Sequence, residues 1–104
     1  MRKGLIEFCV QTLLKQGDAY ASQLIAQLKQ ANMIVVEGTL YPLLTRLKND
    51  GLLAYRWEES PSGPPRKFYT LTPVGEDYVA SLRATWIEVS TSVNSIAGIT
   101  SPIE

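Results

Sequence analysis

Few residues in this chain could carry out chemistry. Its 104 residues include no histidine, the side chain most often used as a general base near neutral pH, and a single cysteine, Cys9. One thiol and no imidazole cannot build an internal disulfide or a zinc-type cluster, so no metal and no other cofactor is expected. Cys9 reads as a small apolar residue buried in a helix. Two acidic pairs remain, Glu58-Glu59 and Glu76-Asp77. Neighbours on a strand point to opposite faces, so the first pair cannot converge on one substrate. The second falls in the first turn of a predicted helix, where acids favour the dipole. An enzyme is therefore not expected.

The charged residues that remain are distributed unevenly. Lys and Arg total 10 and Asp and Glu total 10, but residues 1–71 carry 9 basic against 6 acidic side chains and residues 72–104 carry 1 against 4. The first segment is thus +3 and the second −3. Local basic surface, more than net charge, attracts phosphate. The composition, 45% hydrophobic and 19% charged, is that of an ordinary globular domain. No apolar run approaches the roughly 18 residues of a membrane span. Arg2 and Lys3 are followed too soon by Glu7 and Gln11 for a secretory signal, so a cytoplasmic location without a membrane partner is expected.

The elements that must position these groups follow from periodicity. Ile6, Val10, Leu13 and Leu14 recur at helical spacing between Leu5 and Leu14 and are interrupted by Gly17-Asp18. Tyr20, Leu24, Ile25 and Leu28 predict a second helix over roughly Tyr20 to Gln30, with Asp18 as its cap. Leu40, Leu43, Leu44 and Leu47 predict a third, stopped by Gly51 and containing Pro42 near its first turn. Residues 52–58 and 67–71 read as strands of a hairpin, and Ser60-Pro61-Ser62-Gly63-Pro64-Pro65 as a stiff irregular tip. Thr72-Pro73 opens a fourth helix whose Val79, Leu82, Trp86, Val89, Val93 and Ile96 trace one seam, a face that calls for a partner. Gly98 and Ser101-Pro102 end it.

The order α-α-α-β-β-α is that of a winged helix-turn-helix, a mainly α fold with a small β-hairpin. In that fold the third helix enters the major groove and the hairpin touches the flanking backbone. With the leucine face turned inward, Gly38, Thr39, Tyr41, Pro42, Thr45, Arg46 and Lys48 are left for the nucleic-acid side. The hydroxyls of Thr39 and Tyr41 can bond phosphate or base edges, and Arg46 and Lys48 can release counterions. The competing reading makes Arg46 and Lys48 solvated helix charges and packs Tyr41 on its neighbours. Arg66 and Lys67 leave the tip on opposite faces of their strand, so one of them can meet phosphate; the alternative is a solvated basic turn.

The residues Glu37-Gly38-Thr39-Leu40-Tyr41-Pro42-Leu43-Leu44-Thr45-Arg46-Leu47, then Gly51-Leu52-Leu53, then Arg66-Lys67-Phe68-Tyr69-Thr70-Leu71-Thr72-Pro73-Val74-Gly75 resemble the PadR-like regulators. The resemblance runs in order over most of the chain. It implies a homodimeric winged-helix regulator, usually a repressor, whose last helix and first helix form the dimer interface. The single short final helix is similar to that of the compact subfamily. Two reading helices would then address a pseudo-palindromic operator in double-stranded DNA, with half-sites about one turn, ~34 Å, apart.

In multidrug-sensing compact members a Trp at the place of Trp86 lines a cavity at the dimer interface. The resemblance therefore implies a planar aromatic ligand stacked there, with Phe8, Val89 and Val93 as wall residues and Glu7 or Asp77 as counter-charges. The alternative is a Trp86 that fills an ordinary dimer core. Pro64 and Pro65 stand where family wings often carry basic residues, which reduces the expected share of the wing.

The chain is thus read as a DNA-binding region at 1–71, a dimerisation helix at 72–97 and a short frayed tail at 98–104. The function expected is ligand-responsive repression. A winged-helix module that binds protein instead of DNA is the alternative that suits a net charge of zero.

Overall fold

A computed structural model describes residues 2–99 of the chain, so Met1 and the greater part of the expected tail lie outside the described residues. The elements are α1 (Arg2–Gln16), β1 (Ala19–Tyr20), α2 (Ala21–Gln30), α3 (Glu37–Asn49), β2 (Leu53–Ser60), β3 (Gly63–Leu71) and α4 (Pro73–Ala97). The four helices and the hairpin lie where periodicity places them. The three-stranded antiparallel sheet, in the order β1-β3-β2, contains a strand that periodicity does not show.

That strand explains two corrections. Ala19 pairs with Tyr69 and Tyr20 with Phe68, so the chain is extended where the second helix was expected to begin. Asp18 therefore lies too far from the first turn to cap it. Tyr20 is the N-cap residue, and its backbone N–H donates to Gln23 Oε1 at 2.9 Å. The helix needs its acceptor from within because the preceding residues are committed to the sheet.

Leucines hold the helices together. Leu24 and Leu28 of α2, Leu40, Leu44 and Leu47 of α3, and Val10 of α1 are almost wholly buried. Burial of each such side chain stabilises by about 1.5–3 kcal/mol before chain entropy is counted. Leu53, Tyr69 and Leu71 close the core from the sheet side. Asn32, at φ 64°, turns the chain out of α2, with Met33 N–H returning to the Leu28 carbonyl at 2.8 Å. Gly51, at φ 80°, does the same for α3, and Leu52 N–H returns to the Leu47 carbonyl at 3.0 Å.

The α3–β2 corner also fixes α4. Thr72 Oγ1 accepts from Gly75 N–H at 3.0 Å, capping α4, and donates toward the Gly51 carbonyl at 2.7 Å. Thr72 N–H in turn bonds the Leu52 carbonyl at 3.0 Å. Gly75 is buried against this corner, and a Cβ there would fall on the Leu52 carbonyl oxygen and lie 3.0 Å from Leu71 Cδ1. The Leu-Thr-Pro-x-Gly run is thus a joint between wing and last helix.

Gly75 and Val79 are the buried residues of α4, and beyond Leu82 most of the helix surface is exposed. A helix of this length spans about 37 Å, and the radius of gyration is 15.4 Å, against roughly 13 Å for a compact domain of about 100 residues.

The wing differs from expectation at its tip. The ladder continues through the Pro-rich segment to Ser60↔Gly63, with an irregularity between Glu58 and Ser60. Pro64 and Pro65 are strand residues of β3 rather than loop, a position open to them because β1 covers β3 only at Phe68 and Tyr69.

Candidate nucleic-acid interface

On α3 the buried Leu40, Leu43, Leu44 and Leu47 define the inward face. Gly38, Pro42, Thr45 and Asn49, spaced by four, three and four, therefore form the outermost crest, and all four are exposed. Pro42 sits inside the helix with little more than one turn before it, as expected, and α3 runs through it. The bond it cannot make would have ended on the Gly38 carbonyl, and Gly38 is exposed, so water can take its place. A Cβ at Gly38 would meet nothing within 4 Å, so packing within the protomer does not call for glycine there. Asn49 belongs to this crest and is missed by a reading that stops at Lys48.

Two flanks run beside the crest. Tyr41 and Lys48 face the wing. Lys48 Nζ lies 5.8 Å from the centroid of the Tyr55 ring, and Lys67 Nζ lies 4.6 Å from the same centroid. One aromatic ring thus gathers a cation from α3 and a cation from β3. Thr45 joins these groups along a small cleft of about 100 Å³ between helix and hairpin. Tyr41 keeps 47% of its surface, so it is not packed away.

The opposite flank carries Thr39 and Arg46. Arg46 is not a free cation: its guanidinium is hydrogen-bonded to the Glu7 carboxylate of α1. Glu7 thus faces α3 within the protomer, and Arg46 reaches α1 from the flank of the crest. The Arg46 side chain remains 44% exposed, and an ion pair so open to water is worth about 0–1 kcal/mol. Thr39 is exposed beside it.

Arg66 and Lys67 do point to opposite faces. Lys67, opposite Trp57 in the ladder, turns toward α3, whereas the Arg66 guanidinium stacks 4.0 Å from the centroid of the Tyr20 ring. Arg66, Lys67, Tyr20, Tyr41 and Trp57 border a groove of about 410 Å³ between the wing and the start of α3. Trp57 has no counterpart among the expected contacts, since alternation alone does not say which strand aromatics stay outside.

The expected partner seam of α4 divides in two. Val79 is 2% exposed and belongs to the core of the protomer itself, which accounts for its burial without a partner. Leu82 is half-buried, while Trp86, Val89, Val93 and Ile96 are 43, 45, 52 and 88% exposed. Phe8 packs half-buried against the core. Asp77 is exposed. The groove of about 560 Å³ between α1 and α4 runs along Ala80, Arg83, Ala84 and Ile87, on a different flank from Trp86. Among the described residues no group of three or more Cys, Asp or Glu is arranged to hold a metal ion. No described helix is long and apolar enough to cross a membrane.

Three helices, a hairpin packed beside the third, and cations of both converging on one ring define a winged helix-turn-helix protein. Residues 10–81 match the model of the transcriptional regulator PadR-like family. A PadR-like transcription factor from Bacteroides fragilis is 58% identical, over 92% of this chain and 93% of its own, with a TM-score of 0.83. A PadR-like transcriptional regulator from Bacillus cereus is 33% identical, over 93% of this chain and 95% of its own, with a TM-score of 0.83. A PadR family transcription regulator from Clostridium difficile is 25% identical, over 88% of this chain and 97% of its own, with a TM-score of 0.81. The chain belongs to the PadR-like family of transcriptional regulators, a family of regulators and not of enzymes.

Proposed function

We propose that this protein is a homodimeric repressor that binds a pseudo-palindromic site in double-stranded DNA, works in the cytoplasm, and releases its site when a planar aromatic molecule occupies the dimer interface. The observation that carries the DNA reading is the meeting of Lys48 and Lys67 over Tyr55. It puts reading helix and wing on one basic surface while Leu40, Leu43, Leu44 and Leu47 are committed to the core. Gly38, Thr39, Tyr41, Pro42, Thr45, Lys48 and Asn49 then face the groove of the duplex. Arg46 joins them when a phosphate displaces Glu7.

The stripe of half-buried Leu82 and exposed Trp86, Val89, Val93 and Ile96 supports self-association. It lies on a helix whose buried residues are confined to its first two turns, and such a seam buries itself well against an identical one. Two Trp86 side chains brought together across a two-fold axis would offer flat apolar walls to an aromatic ligand, with Val89, Val93 and Phe8 around them. Ligand binding there would change the spacing of the two α3 helices, a coupling of about 1–3 kcal/mol.

The test is affinity for duplex DNA as a function of salt, measured alongside oligomeric state. A dimer whose affinity falls steeply with salt fits the proposal. A flat response would favour the protein-binding module suggested by the zero net charge. Titration with planar aromatic dyes should quench Trp fluorescence in the wild type and not in Trp86→Ala.

A further inference from the structure

The groove beside the wing has an aromatic wall that the contacts named so far do not use. Trp57 is 61% exposed on a hairpin whose Tyr69 is buried. Its ring is nevertheless held in place. It stands edge-on to Tyr55, with centroids 5.9 Å apart and planes at 88°. Lys67, its partner across the ladder, sets Nζ 5.6 Å from the Trp57 ring and 4.6 Å from the Tyr55 ring. An exposed indole fixed beside a lysine presents a flat apolar face and a charge at a set spacing.

The groove runs from this indole to Tyr41 on α3, with Arg66 along it and Glu37 as its acidic lining residue. It is therefore continuous with the reading surface. Its charge suits an anion at the wing side and disfavours one beside Glu37.

We propose that Trp57 is a DNA-contacting residue. Its indole lies against the deoxyribose edge of the backbone flanking the major-groove site, and Lys67, held over the Tyr55 ring, meets the adjoining phosphate. The wing then grips DNA along its shaft, not at its Pro-rich tip. Sugar edges are the same in every sequence, so this contact positions the protein without reading bases. The proposal rests on the DNA-binding reading above.

The probe is a duplex selected from a randomised pool by the wild-type protein, and affinity is measured over a range of salt concentrations. Trp57→Ala should weaken binding about tenfold with an unchanged salt slope, because an indole neutralises no phosphate. Trp57→Phe should recover most of that loss. Lys67→Ala should lower the slope by about one. Melting temperatures equal to the wild type's are expected for Trp57→Ala, since the ring is mostly exposed. Wild-type affinity in Trp57→Ala overturns the inference and leaves DNA binding standing. A loss accompanied by the lower slope of Lys67→Ala assigns the effect to a displaced lysine and overturns it as well. If the wild type selects no duplex at all, the DNA-binding reading falls, and this contact with it.

Discussion

Glu7 of α1 and Arg46 of α3 are joined by an ion pair, so the helix expected to meet a partner subunit is tied directly to the helix expected to meet DNA. The pair is open to water and weak, and a phosphate can compete for the same guanidinium. Glu7→Gln should therefore bind duplex DNA a few-fold more tightly than the wild type, with little change in stability. Arg46→Ala should weaken binding on all sequences and lower the salt slope by about one. Equal affinities for the Glu7→Gln protein and the wild type would show that Arg46 is never exchanged between carboxylate and phosphate.

Gly75 should tolerate no side chain. A Cβ there meets backbone, the Leu52 carbonyl, which has no rotamer to yield. Gly75→Ala is expected to destabilise by about 1–3 kcal/mol through overpacking, lowering the urea midpoint without changing the slope of the transition. Gly38→Ala is the matching control. Its added methyl meets nothing, and alanine favours the helix by up to about 1 kcal/mol, so its stability should hold or rise.

Thr72 carries the cap of α4 and the bond to the Gly51 carbonyl together. Thr72→Ala should cost about 1 kcal/mol or somewhat more, and Thr72→Ser much less, because the hydroxyl is what both bonds need. Chemical denaturation of the two variants side by side measures the difference.

Stability should decline on the alkaline side. Burial raises the Cys9 thiol above its ordinary 9.0. Burial, followed by the neighbouring Tyr41 and Tyr55, raises Tyr69 above its ordinary 10.0. Both groups release protons earlier in the unfolded chain, so the unfolded state gains from rising pH. Their contribution is complete below about pH 9 and is lost as pH rises through the folded values. Replacing Cys9 by Ala should remove the first part of that decline in a series of melts. Native Cys9 should also react with maleimide far more slowly than the unfolded thiol.

Much of this arrangement was legible in the residues because helices advertise themselves through spacing. The leucines of α3, the seam of α4 and the Thr72-Pro73 start are local signals, and each element lies where they put it. β1 was not legible: a strand of two residues has no period, and it exists only because Tyr69 and Phe68 are there to pair with it. The Pro-rich tip misled for the opposite reason, since composition opposes a strand that an unpaired edge permits. For the site, side-chain type and face identified the cations, but their partners come from residues far along the chain. Glu7 is 39 positions from Arg46, and nothing in either segment alone announces the pair. Val79 reads as part of the α4 seam by period, and only the packing of the helix start on the core takes it out.

Pro64 and Pro65 have a further consequence for the hairpin that ends at Ser60 and Gly63. Neither offers an N–H, and the adjacent margin of β2 carries Arg56, Glu58 and Glu59. A bare ribbon of this kind would ordinarily invite a stray chain to zip alongside it. Here the free borders lack donors on one strand and bristle with charge on the other. The arm can reach into solvent without becoming a seed for aggregation.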